Sequence, residues 1–166
     1  VAFQALIQIM NTLNDQHAIL LDLAERKKQV LIRNQVDQLT VILTKETKLI
    51  KQISEADQQR IDAIQQFLLE KGYKPNSRVT VSDLTKIIFN VEDKKLLLET
   101  QKDLLATIRK LREINRINQD LIEHSLAFIN YSLDLIIGPP DDGAVYHHPQ
   151  QQSLGPKRPG LFDTRA

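Results

Sequence analysis

The run that decides the fold is Asn90 to Ile137, NVEDKKLLLETQKDLLATIRKLREINRINQDLIEHSLAFINYSLDLII. It holds no Gly and no Pro, the residues that interrupt helices most strongly. Leu97, Leu104, Ile108, Leu111, Asn115, Asn118, Ile122, Ser125, Ile129, Leu133 and Ile136 recur at helical spacing. Asn90, followed by Asp93, offers the side-chain acceptors that the free amides of a helix start require. The segment predicts one continuous helix, ended by Gly138 and Pro139.

Upstream, Val1 to Lys71 is equally free of Gly and Pro. Leu6, Ile9, Leu13, Leu20, Leu23 and Leu31 form a first stripe, interrupted by His17 and Lys27. A break is expected near Asn34, read as an N-cap with Asp37 in a capping-box-like pair. A second stripe follows through Val36, Leu39, Leu43, Glu46, Ile50, Ile53, Ile61 and Ile64 to Phe67 or Leu68. Gly72 then reads as a left-handed C-cap, with Pro75 just beyond. After a loop from Pro75 to Ser82, Thr80 or Ser82 caps a short helix from about Asp83 to Phe89. The fold class is all-α: an elongated antiparallel bundle of three long helices, each roughly 45–70 Å, plus one short helix.

The division of the chain follows. Residues 1–137 form the helical domain, and residues 138–166 a C-terminal tail. Pro139, Pro140, Asp141, Asp142 and Gly143 stop the helix, and the composition to Gly160 predicts flexibility. Tyr146, Leu161 and Phe162 provide apolar anchors within it. The chain starts at Val1 without an initiator Met, the expectation for a trimmed N-terminal segment.

Composition narrows the function. A net charge of +1 argues against a nucleic-acid binder, which carries a clear basic excess. With no Cys there is no disulfide framework, thiolate metal site or thiol nucleophile. The apolar stretch Leu133 to Ile137 is too short to insert into a membrane.

Candidate chemistry is sparse, and the chain reads as a binding protein, not an enzyme. The adjacent pair His147–His148 lacks the spacing and acidic partners of a metal site. His17 and His124 fall on different helices with no plausible nucleophile. Glu46 lies within an apolar seam and reads as a carboxylate that pairs with His17, Lys27 or Arg112 and fixes register. Asn115 and Asn118, one turn apart among Leu and Ile, complete this structural polar seam. No phosphate-binding glycine loop is present, and no metal or cofactor is expected. The anomaly is the last part of the long helix. Leu126, Phe128, Ile129, Tyr131, Leu133, Leu135, Ile136 and Ile137 cover more than the one stripe a bundle helix needs. Core burial, cover by the short helix or by a homodimer, and a docking surface for another protein are the readings open to it.

With these residues in view, the chain resembles the FlgN-type flagellar export chaperones. The likeness lies in the helical hairpin with Leu39, Leu43, Glu46 and Leu49–Ile50, and in Arg60 to Leu69 ending at Gly72 before Val81 to Phe89. It lies also in LREINRINQDLIEHSL (Leu111 to Leu126), with its Asn115, Asn118, Leu121 core, and in the tail with Tyr146 and Leu161 to Ala166. The resemblance implies a small cytoplasmic chaperone that holds helical ends of the hook-associated, hook–filament junction proteins and delivers them to the flagellar type III export apparatus. It also implies that the last helix and the adjacent tail bind these clients, with Leu126, Phe128, Ile129, Tyr131, Leu133, Leu135, Ile136 and Ile137 as the candidates. The alternative is a structural coiled-coil protein that only self-associates.

Overall fold

The computed structural model describes residues 1–138. It comprises α1 (Ala2–Ile32), α2 (Val36–Glu70), α3 (Val81–Thr85) and α4 (Val91–Ile137), with no strand among the described residues. This is the all-α bundle expected from the Gly- and Pro-free runs. The expected His147–His148 pair and the tail residues Tyr146, Leu161 and Phe162 lie outside the described residues.

The turns explain the topology. Asn34 does not cap α2; it follows α1 with a left-handed φ of 56°. Gln35 N–H donates to Val30 O and Asn34 N–H to Leu31 O, which satisfies carbonyls left open at the end of α1. Asn tolerates this conformation better than other non-glycine residues because its short amide bonds locally, so the same residue suits either side of a break. The equivalent motif ends α2. Gly72 has φ 80°, Tyr73 N–H donates to Leu68 O and Gly72 N–H to Leu69 O. Thr80 caps α3 in a reciprocal box with Asp83, so that helix starts earlier and is shorter than expected. Asn90 opens α4 by accepting from the amides of Glu92 and Asp93.

Two reversals place α1 antiparallel to α2, and α4 parallel to α1. At one end Phe3 meets Phe67, with ring centroids 6.3 Å apart. Farther along, Lys27 on α1 reaches Glu46 on α2. Asn14 Nδ2 donates to Thr100 O, and Asn118 Nδ2 donates to Ala24 O, so residue numbers rise together in α1 and α4. The core runs through Leu6, Met10, Leu13 and Leu20 of α1, Leu49, Ile53, Ile64 and Phe67 of α2, and Leu97, Ile108 and Leu111 of α4. Ile42 and Leu49 occupy the buried line where the sequence suggested Leu43 and Ile50. The stripe's phase is set by which face meets α1, and one residue turns it by roughly 100°. α3 buries Val81 and Leu84 against the first half of α4, where Gln101 Nε2 donates to Ser82 Oγ.

Candidate functional site

The register between α1 and α4 determines what is left uncovered. From the Asn118–Ala24 bond, α1 has only eight residues to its end at Ile32, while α4 has nineteen to Ile137. The excess carries α4 past the α1–α2 turn by roughly 16 Å at the helical rise. The last buried residue of α4 is Asn118, and Leu121 and Ile122 are half-buried.

Beyond them every large apolar side chain is exposed. Ile129 has 51% of its surface free, Leu133 47% and Ile136 81%. Leu126, Phe128, Tyr131, Leu135 and Ile137 are exposed as well. All eight residues that the sequence singled out fall on this one projecting segment. α3 does not cover them, because it packs near the other end of α4. Seven of the eight side chains divide into two faces, and Ile137 sits at the flank of the first. Leu126, Ile129, Leu133 and Ile136 continue the three-and-four spacing that runs from Asn118 through Ile122, so they prolong the core-facing line. Phe128, Tyr131 and Leu135 have the same internal spacing but lie roughly 160° around the helix.

At the root of the projection stands a polar cluster. Glu46 is buried and its Oε2 lies 3.0 Å from Lys27 Nζ, with both side chains shielded from most solvent. Asn118 is also buried; its Nδ2 donates to Ala24 O at 3.0 Å, while Oδ1 has no hydrogen-bond partner among the described residues. Such a bond is made only when α1 and α4 are in one register, so the amide fixes how far α4 projects. Asn115 is corrected by the structure. It is exposed at the lip of a small cleft beside Lys27 and Glu46, and Ile114 takes the buried place. From Leu111 the line advances by three residues and then by four to Asn118, which turns Asn115 outward.

The pair predicts a stability effect. Replacing Glu46 by Ala leaves the Lys27 ammonium in a largely dry seam and is expected to cost roughly 2 kcal/mol, less than for a fully buried pair. The Lys27→Met, Glu46→Leu double variant is expected to recover most of that loss. Urea unfolding of the wild type and the two variants measures both, and a double variant no more stable than the single one would contradict the account.

His17 is buried, with Nδ1 2.6 Å from Leu13 O, so the neutral ring that donates from Nδ1 fits its place. Burial pushes its pKa below the ordinary imidazole range, opposed by the Leu13 carbonyl and by the charge of Asp57. The unfolded chain therefore takes up this proton first as pH falls. The stabilisation is whole above about pH 6.5 and declines as the pH falls from there toward the lowered folded value. Denaturant midpoints of the wild type are expected to drop between about pH 7.5 and pH 5.5, and the drop to shrink in His17→Leu. Equal slopes in both proteins would show that His17 does not carry it.

Among the described residues no group of three or more acidic, His or Cys side chains could hold a metal ion. No described helix is long and apolar enough to cross a membrane. What the geometry defines is a helical bundle whose last helix extends, apolar on two faces, beyond its own hairpin.

Comparison with known proteins gives that class a family. The family model described as FlgN protein matches residues 2–153, and the chain belongs to the FlgN family of flagellar export chaperones. That is a family of chaperones and not of enzymes. The chain is similar to the uncharacterized protein YvyG of Bacillus subtilis (strain 168), 30% identical over 165 residues that cover 98% of each chain. No solved structure matches.

Proposed function

We propose that this chain is a cytoplasmic export chaperone that holds the helical ends of flagellar hook-associated proteins and delivers them to the flagellar type III secretion apparatus. The carrying observation is the core-facing line of α4, which runs out from under the hairpin with Leu126, Ile129, Leu133 and Ile136 still exposed. A client helix laid along this line takes the place that α1 holds farther back, and buries its own apolar face in doing so. Burial drives the association at roughly 25 cal/mol per Å², less the cost of ordering the client end. Residues 1–137 serve as the chaperone body and 138–166 as an appended tail. Family membership supports the flagellar role.

This reading expects a one-to-one complex with a hook-associated protein in analytical ultracentrifugation. It also expects no complex when that protein lacks its terminal helices. The other reading, self-association alone, predicts higher-order species of the isolated chain that hook-associated proteins leave unchanged.

A further inference from the structure

Phe128, Tyr131 and Leu135 are exposed on the side of α4 away from its core-facing line, and no other described element covers them. We infer that this second face is occupied by the chain's own C-terminal segment around Leu161 and Phe162. Three observations select that occupant. The first is reach: twenty-two residues lie between Gly138 and Leu161, and only the last few turns of α4, roughly 15 Å, have to be retraced. The second is apolar content: Leu161-Phe162 is an adjacent pair of large apolar side chains and, unlike Val145-Tyr146, it has basic residues close on both sides.

The third observation is charge. From Leu121 to Ile137 there is no Lys or Arg, while Glu123 and Asp134 are acidic. The same stretch is a helix C-terminus with no basic residue in its last turn, so its carbonyl dipoles add negative potential. The segment beginning at Gly155 carries Lys157, Arg158 and Arg165 against Asp163 alone. A basic segment with an apolar pair matches an acidic helix end with an apolar stripe. A second copy of the helix end would instead bring acid against acid, which disfavours pairing. The tail thereby shields the rear face while the front face stays free for a client. This inference goes beyond the chaperone reading and does not depend on it.

The test uses the full chain, which has no Trp of its own. Phe162→Trp places a single indole in the segment. The expected result is blue-shifted emission, protected from acrylamide, in the isolated protein and independent of its concentration. Adding Tyr131→Asp and Leu135→Asp is expected to abolish the shift, whereas Ile129→Asp and Leu133→Asp leave it in place. Far-UV circular dichroism confirms that each variant is folded, as expected for substitutions at exposed positions. Emission typical of exposed indole, or a shift that ignores Tyr131 and Leu135, overturns the inference. A shift that grows with protein concentration overturns it in favour of a second copy. None of these outcomes bears on whether the opposite face binds a client.

Discussion

The Ile129→Asp, Leu133→Asp double variant is expected to bind a hook-associated protein roughly a hundredfold more weakly, through loss of two buried aliphatic side chains and the desolvation of two carboxylates. It is expected to unfold at the wild-type denaturant midpoint. The second half of the expectation gives the first its meaning. Both residues are exposed in the isolated chain, so changing them removes nothing from the core. Calorimetry with the client and urea unfolding without it measure the two quantities on the same preparation. If the double variant loses stability in step with binding, these side chains belong to the core and the docking role fails.

The complementary result concerns the hairpin. Leu6→Ala is expected to cost 2–5 kcal/mol, roughly the range for truncating a fully enclosed leucine. Leu6 has no exposed surface and belongs to the cluster shared by α1, α2 and α4. Leu133→Ala, which removes the same atoms from the open line of the projecting end, is expected to change unfolding by under about 0.5 kcal/mol. Urea midpoints of the pair measure the contrast. Equal losses would mean that the end of α4 is as well packed as its beginning.

Much of this was legible in the sequence, and the misses have physical causes. The two Gly- and Pro-free runs mark out the long helices, and Asn34 divides the first run into two, because little else breaks a helix made of Leu, Ile, Gln, Lys and Glu. Gly72, Thr80 and Asn90 appear where the sequence placed the breaks, each answering a backbone need that only a few residue types meet. Asn34 marked its break correctly but took the opposite role, since an amide that caps a helix start also tolerates a left-handed helix end. Asn115 was assigned to the seam by spacing alone. At three-or-four spacing, Ile114 and Asn115 are both admissible successors to Leu111, and only contact with α1 decides between them.

The eight apolar residues of the last turns show the sharper boundary. Their excess over one stripe was visible, but exposure depends on where α1 ends relative to α4. That relation follows from the Asn118–Ala24 bond and the hairpin's length, neither of which is a local property. The same bond explains why a polar residue lies in the seam. It sets the register, and the register sets how much apolar helix stands clear of the bundle.

Amide hydrogen exchange on α4, with and without a hook-associated protein, tests this account most directly. In the isolated chain, amides beyond Ile122 are expected to exchange much faster than those from Leu97 to Asn118, because only the latter lie in the core. Addition of the client is expected to protect residues 122–137 and to leave the core segment unchanged. Protection confined to α2 or α3, or a projecting segment that exchanges as fast in the complex as alone, would contradict it.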